Sequence, residues 1–260
     1  MTMDRRLKWA VYIIMCMRLP ANENKATIIK RFQKALTDFS MIADGDRILV
    51  GLSGGKDSLC LLEMLAMRMK IFKPRFEVEA LHVRMDNIDY ESDTSYLENF
   101  ASSLGVKLHI RTSSFDASTD KRKTPCFLCS WTRRKQMFAL AQELGFNKIA
   151  LGHHNDDIIH TAMMNEYFQG RYDTMPVVLR MTKMPITIIR PLCLVHEKDI
   201  MAYAQEVDYE KQKKTCPFDT DTRRADMKRI FSEIEAINPE ARYSIWNALK
   251  EAGKLVRTDS

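Results

Sequence analysis

Three short strings in this chain carry residues able to do chemistry. The first is Ser53-Gly54-Gly55-Lys56-Asp57-Ser58. It follows an apolar run, Ile48 to Leu52, and opens a segment, Leu59 to Met69, whose apolar residues recur at helical spacing. A strand, a glycine turn and a helix N-terminus in that order make a phosphate cradle. Adjacent glycines let backbone N–H groups converge on an anion without Cβ interference, the helix end adds partial positive charge, and Lys56 adds a full one. A nucleotide is the expected ligand. The loop is not of the Walker type: Val50 stands where that pattern needs its first glycine, and Asp57 where it needs Ser or Thr after the lysine. The second string is the C-x-x-C pair Cys126-Phe127-Leu128-Cys129, with Cys216 beside Pro217 far downstream. The third is Gly152-His153-His154-Asn155-Asp156-Asp157, followed by Thr161.

Spacing alone leaves the cysteines open to three readings. A closed structural zinc site wants four ligands, so Cys126, Cys129 and Cys216 would need a histidine. A redox C-x-x-C pair of the thioredoxin kind belongs to a different local setting, without a nearby phosphate loop. An iron–sulfur cluster held by three thiolates leaves one iron open, which could hold a sulfide. Cys16, Cys60 and Cys193 sit among apolar neighbours and read as packing residues.

These strings are set on alternating strands and helices. Residues 25–43 have helical periodicity before the turn Asp44-Gly45-Asp46. Phe76 to Val83 reads as a strand, Thr94 to Leu104 as a helix stopped by Gly105, and Val106 to Ile110 as a strand. Thr112 to Pro125 is too polar for core and reads as a loop. Phe127 to Leu144 is helical with Gly145 as its stop, Lys148 to Gly152 a strand, and Asp156 to Phe168 a helix. Gly170 to Pro185 is a loop or hairpin, Ile186 to Arg190 a strand, Glu197 to Val207 a helix, and the segments Thr222 to Ile237 and Pro239 to Gly253 are helical. Strands alternating with crossover helices predict an α/β fold, a doubly wound parallel sheet of about five strands with N- and C-terminal helical additions. Ligands in such a fold sit at the carboxyl ends of the strands. The expected division is an N-terminal extension over 1–24, a helix and turn over 25–46, an ATP-binding α/β domain over 47–207, and a C-terminal helical segment over 208–260.

The chain has 260 residues and 45% hydrophobic content, enough for a full core and against disorder. Its formal net charge of +6 is unevenly spread. Lys121, Arg122, Lys123, Arg133, Arg134 and Lys135 form an acid-free basic stretch, and Lys211, Lys213, Lys214, Arg223, Arg224, Lys228 and Arg229 a second, partly offset by acids. Each fits a polyanion partner or a solvated basic face. Arg5, Arg6 and Lys8 ahead of Trp9 to Met17 imitate a signal peptide. The run is too short to span a bilayer and no A-x-A-like site follows at Arg18 to Ala21, so a cytoplasmic protein without a membrane segment is expected. A start codon placed too far upstream, or a short docked helix, accounts for this stretch.

Ser-Gly-Gly-x-Asp-Ser resembles the signature of the PP-loop ATP pyrophosphatases (adenine nucleotide alpha hydrolase-like, of the HUP kind), whose members cleave ATP between the α- and β-phosphates and adenylate a substrate. The order of that loop, Gly152 to Asp157 with Thr161, the C-x-x-C pair and the isolated Cys216 resembles the tRNA 2-thiocytidine synthetases, as do Ile189-Arg190-Pro191-Leu192 and Glu197-Lys198-Asp199-Ile200. The resemblance spans residues 25–250. It departs at Cys216-Pro217-Phe218-Asp219, where that family often has a second C-x-x-C, and in residues 1–24.

The resemblance implies an ATP-dependent sulfurtransferase that adenylates the C2 oxygen of a tRNA cytidine, at position 32, and replaces it with sulfur. It implies ATP contacts at Ser53, Gly54, Gly55, Lys56, Asp57, Ser58, His82, Gly152, His153 and Asp157, and Mg²⁺ with Asp57 as its carboxylate, whose plainer role is capping the helix. It also implies a 4Fe–4S cluster on Cys126, Cys129 and Cys216, with a cysteine persulfide as the alternative carrier. Lys121, Arg122, Lys123, Arg133, Arg134, Lys213, Lys214, Arg223 and Arg224 are the expected tRNA contacts, with Phe127 and Trp131 as candidates for base stacking or for core. Asn155 or Asp156 has a plainer role as a helix cap. A sulfur donor such as a cysteine desulfurase is an expected partner, and a homodimer is an open expectation. Competing readings are a 2-thiouridine synthase, a lysidine synthetase (which has no need of the three cysteines), a non-catalytic nucleotide-sensing iron–sulfur protein that binds RNA, and the same catalysis on a small metabolite.

Overall fold

A computed structural model describes residues 23–90, 93–116, 124–210, 214–215 and 222–259, with backbone alone at 89–90, 214–215 and 222–223. Expectations placed on residues 1–22 (with Cys16), Lys121, Arg122, Lys123, Lys211, Lys213 and Cys216 lie outside the described residues, and those on the side chains of Lys214 and Arg223 do too.

The elements are α1 (Glu23–Asp38), β1 (Asp46–Gly51), α2 (Lys56–Met69), β2 (Phe76–Met85), β3 (Asp89–Tyr90), α3 (Ser95–Ser103), β4 (Lys107–Ser113), α4 (Pro125–Leu144), β5 (Lys148–Ala150), α5 (Asn155–Gln169), β6 (Val178–Arg180), β7 (Thr187–Ile189), α6 (Glu197–Glu206), β8 (Lys214–Thr215), α7 (Thr222–Ile237), α8 (Ala241–Glu251) and β9 (Val256–Thr258). Seven strands form one sheet in the order β4-β2-β1-β5-β7-β6-β9, and all pairings are parallel except β6 with β7.

The doubly wound parallel core is as expected, and the sheet is two strands wider than the about five anticipated. Both extra strands lie at one edge. Gly170 to Pro185 takes its hairpin alternative, with β6 turning back on β7, and β9 then pairs beside β6. β9 escapes the sequence because Val256–Thr258 is exposed throughout and leaves no burial alternation to read. β4 continues past Ile110 to Ser113 because its ladder with β2 continues to Met85.

Residues of β1 alternate between two cores, as a strand buried on both faces requires. Ile48 and Val50 face a core with Phe32, Leu61, Leu65, Ile158 and Tyr203, drawn from α1, α2, α5 and α6. Leu49 faces the other side, with Leu81, Ile149 and Leu140 of α4. A third cluster, Ile159, Met163, Met227, Phe231 and Ala241, seats α7 and α8 on α5. Truncating a fully buried leucine such as Leu49 to alanine costs about 2–5 kcal/mol in cores of this kind. No helix among the described residues is long and apolar enough to cross a membrane.

Candidate nucleotide and sulfur-transfer site

β1 has parallel neighbours on both sides, β2 and β5, and the strand order reverses there. A crevice opens at that switch point beyond the carboxyl ends of the strands. The Ser53–Ser58 loop leaves β1 into it, and Gly152–Asp157 leaves β5 into it. Sequence-distant strings therefore face one another because of the strand order.

Glycine is needed at two positions here. Gly54 has φ +82°, in the left-handed region. At Gly152 a Cβ would sit 3.1 Å from the backbone C and O of Asp57 and from the N of Ser58, so only glycine lets the exit of β5 lie against the loop. Ser58 braces the loop from beneath: its Oγ accepts from Ser53 N (3.1 Å) and donates to Gly55 O (2.9 Å). The helix begins at Lys56 with Gly55 as its N-cap. Asp57 thus does not cap it. Its carboxylate accepts from Lys56 Nζ at 3.0 and 3.1 Å.

Lys56 also lies 3.3 Å from Glu197 Oε1, at the start of α6, and Glu197 Oε2 accepts from Lys228 Nζ of α7 at 2.8 Å. Burial alone would lower the Lys56 pKa, but Asp57 and Glu197 outweigh it and hold it above the usual lysine value. The Glu197 carboxyl is opposed by burial but held below its usual range by Lys228 and Lys56.

Beyond β5 the N-cap of α5 is His154, not Asn155 or Asp156. Asp157 reaches back to accept from His154 N at 3.1 Å. Asp156 accepts from Glu197 N at 2.7 Å and pairs with Arg242 of α8 at 2.9 Å. Asn155 donates to Cys193 O and accepts from Arg242, at 3.1 and 2.9 Å. His154 Nε2 lies 3.8 Å from Asp57 and 3.5 Å from Asp157, so the imidazole bridges the two exits.

His153 Nδ1 accepts from Arg190 Nε at 3.2 Å. Burial, then Arg190, lowers the His153 pKa to about 4, with smaller contributions from Arg224 and Arg134. Those two charges act on it from α4 (Arg134) and from the start of α7 (Arg224). Arg133 is half-buried and acts in the same way on His82. His82 is 1% exposed. Its Nδ1 donates to Leu52 O at 2.7 Å, and its Nε2 has no hydrogen-bond partner among the described residues. A buried acceptor in that state is costly unless a ligand supplies the donor.

The C-x-x-C pair lies in the first turn of α4, capped by Thr124, whose hydroxyl accepts from Phe127 N, with Pro125 at the first helical position. The far end of this helix, Leu144, is held by Arg47 at the amino end of β1. The helix runs against the strands, so its first turn lies toward their carboxyl ends. Leu128 and Cys129 pack against the core cluster that takes in Val83, Met85 and Ile88, at and just past the end of β2. Cys126 is exposed and Cys129 half-buried. β8 ends at Thr215, one residue before Cys216, and pairs antiparallel with β3 at Asp89↔Thr215, just past the same strand end. No group of three or more His, Cys, Asp or Glu able to hold a metal is found among the described residues. Cys60 and Cys193 are fully buried, and burial pushes both thiols up.

Phe127 and Trp131 are exposed, on the solvent side of α4 and outside the core. Lys135 Nζ sits 5.7 Å from the Trp131 ring centroid. Sequence reasoning passed over Glu197, Arg190, Lys228 and Arg242 as site residues. Arg190 and Glu197 stood in the two runs that carry the family resemblance, with no role given to either. Lys228 stood only as a member of the second basic stretch, and Arg242 carried no signal, since it sits in an ordinary amphipathic helix.

The PP-loop domain family matches residues 24–214. The tRNA-cytidine(32) 2-sulfurtransferase of Bordetella avium (strain 197N) is 35% identical over 237 residues, covering 89% of this chain and 75% of that protein. The protein of the same name from Pseudomonas paraeruginosa (strain DSM 24068 / PA7) is 40% identical over 195 residues, 72% of this chain and 70% of the relative. Among solved structures, U34-tRNA thiolase NcsA from Methanococcus maripaludis, with its 4Fe–4S cluster, superposes with TM-score 0.73 at 22% identity, covering 89% of this chain and 80% of that one. That likeness speaks to the fold.

Proposed function

The chain belongs to the tRNA-cytidine(32) 2-sulfurtransferase family of PP-loop proteins, and from that footing we propose that it thiolates C2 of cytidine 32 in tRNA after activating the C2 oxygen with ATP. The observation that carries this reading is the meeting of three features at one end of the sheet: the glycine loop, the β5 exit and the first turn of α4.

An oxo oxygen is a poor leaving group, so ATP must first make it an adenylate. Fit to ATP is supported by the loop itself. Gly54 makes the left-handed turn, the N-terminus of α2 favours anions, and Lys56 stands at its first position. Lys56 would move from Asp57 to the phosphates, leaving Asp57 to face Mg²⁺. Ser53 and Ser58 keep the loop in shape, and His82 Nε2 would accept a hydrogen bond from the nucleotide. Neutral His153, its tautomer fixed by Arg190, presents an Nε2–H that can donate to an oxygen of the nucleotide or of the base. Arg133, Arg134 and Arg224 would meet the charge of phosphates and of the RNA backbone, together with Lys121, Arg122, Lys123, Lys213, Lys214 and Arg223.

Two thiols one helical turn apart in the first turn of α4, Cys126 exposed and Cys129 half-buried, suit a thiolate-held cluster. Cys126 and Cys129, with Cys216, would hold a 4Fe–4S cluster, which would supply sulfide to the activated carbon as AMP leaves. Trp131 would stack on an unpaired base. A cytoplasmic setting follows from ATP and tRNA as substrates, with a cysteine desulfurase as the sulfur source.

Nucleoside mass spectrometry of tRNA from cells lacking the protein tests this. 2-Thiocytidine disappears and returns with wild type but not with Cys126→Ala. Loss of a different nucleoside overturns the choice of base, and no change overturns tRNA as the substrate.

A further inference from the structure

Glu197 is the one carboxylate that joins the phosphate loop to the C-terminal helices among the described residues. Its backbone N–H is held by Asp156 at 2.7 Å, so its side chain starts from a fixed point. One oxygen lies 3.3 Å from Lys56 Nζ and the other 2.8 Å from Lys228 Nζ. Lys56 is the cation that a triphosphate would claim, and Lys228 lies on α7, the helix that follows the segment containing Cys216.

We propose that Glu197 is a positioning residue that Lys56 and Lys228 share, so that a triphosphate taking Lys56 hands the whole carboxylate to α7. The proposal rests on the ATP reading above. Without nucleotide, Glu197 divides its attraction between two ammonium groups and competes with phosphate for Lys56. With nucleotide bound, the Glu197–Lys228 pair is relieved of its rival, and α7 is drawn against α6 next to the loaded loop. Nucleotide occupancy thereby firms the C-terminal side of the crevice before sulfur transfer. Glu197 itself touches no substrate; it acts through Lys56.

The two ends of the ion chain predict effects of opposite sign. Glu197→Gln removes the competitor and tightens binding of Mg²⁺ with the α,β-methylene analogue of ATP, by about two- to fivefold for a half-exposed pair. Lys228→Met leaves Glu197 to Lys56 alone and weakens binding by about two- to threefold. The double variant matches Glu197→Gln, because Lys228 acts only through Glu197. Hydrogen exchange over residues 222–237 slows on adding the analogue to wild type and not to Glu197→Gln. Calorimetry on the full chain reads the affinities, and thermal melts confirm folding.

Effects of the same sign, additive losses in the double variant, or exchange in α7 unaltered by nucleotide in wild type would overturn the relay while leaving ATP binding intact. Wild type that binds no nucleotide would overturn the ATP reading and the relay with it.

Discussion

Arg190 Nε donates to Nδ1 of His153 across 3.2 Å, which leaves the imidazole neutral with its remaining proton on Nε2. Burial and the guanidinium act together, and the folded pKa is about 4. Arg190→Gln removes the largest of the charges that lower it, so His153 titrates at higher pH in the variant while staying below an ordinary histidine. Histidine NMR titration of both proteins reads this directly; an unchanged His153 would show that Arg190 does not set it.

Stability should fall as the solution is acidified. His153 and His196 are both lowered to about 4. Between there and the ordinary value near 6.5 the unfolded chain binds more protons than the folded one, so unfolding free energy rises with pH through that window and is lost on the way down. Glu63, Asp156 and Glu197, all held below their usual range, add a further loss once pH drops beneath ordinary carboxylate values. Urea midpoints at pH 7, 6 and 5 should descend in that order.

Gly152→Ala should damage nucleotide binding more than folding. Its Cβ meets backbone of Asp57 and Ser58 at 3.1 Å, and backbone cannot rotate aside as a side chain can. The strain expected of such overpacking is about 1–3 kcal/mol, and it falls on the phosphate loop. Calorimetry should show ATP affinity reduced tenfold or more with a smaller change in melting temperature.

Cys216→Ala and Lys56→Ala should fail in complementary ways. The cysteine variant loses thiolation and cluster absorbance and keeps nucleotide affinity, whereas the lysine variant loses ATP affinity and keeps the cluster spectrum. Equal loss of ATP binding in the two would defeat this separation of roles.

Arg242→Ala should loosen the C-terminal helices. The guanidinium pairs with Asp156 and Glu235, donates to Asn155, and lies 5.0 Å from the Phe231 ring centroid. Removing it strands a largely buried Asp156, at a cost of about 3 kcal/mol. Denaturant unfolding should register that loss, with exchange in α7 and α8 accelerating first.

The chemistry-bearing strings were legible because each needs consecutive residues. Glycines, lysine and serine must be neighbours to make a loop, and two cysteines must be a turn apart to share a helix face. Element types over β1, α2, β2, α4 and α7 were legible from periodicity for the same reason. What stayed hidden is whatever depends on chain segments meeting in space. The hydrogen bond from His82 to Leu52, the reach of Lys228 to Glu197 and the grip of Arg242 on Asp156 have no sequence signature, since each residue looks like an ordinary polar position in its own element. β9 failed differently: three exposed residues carry no pattern even though their backbone closes the sheet edge.

The Arg242 clasp also has a consequence for how the protein is made. Asn155 and Asp156 anchor one wall of the crevice, yet their partner is encoded late, and β6 obtains its outer neighbour only from Val256–Thr258. During translation the nucleotide loop and its strands leave the ribosome long before the residues that fasten α5 and cover β6. A nascent chain stalled short of Arg242 would therefore hold its loop without its clasp, so competence should switch on once the segment from Arg242 to Thr258 has emerged instead of growing with chain length.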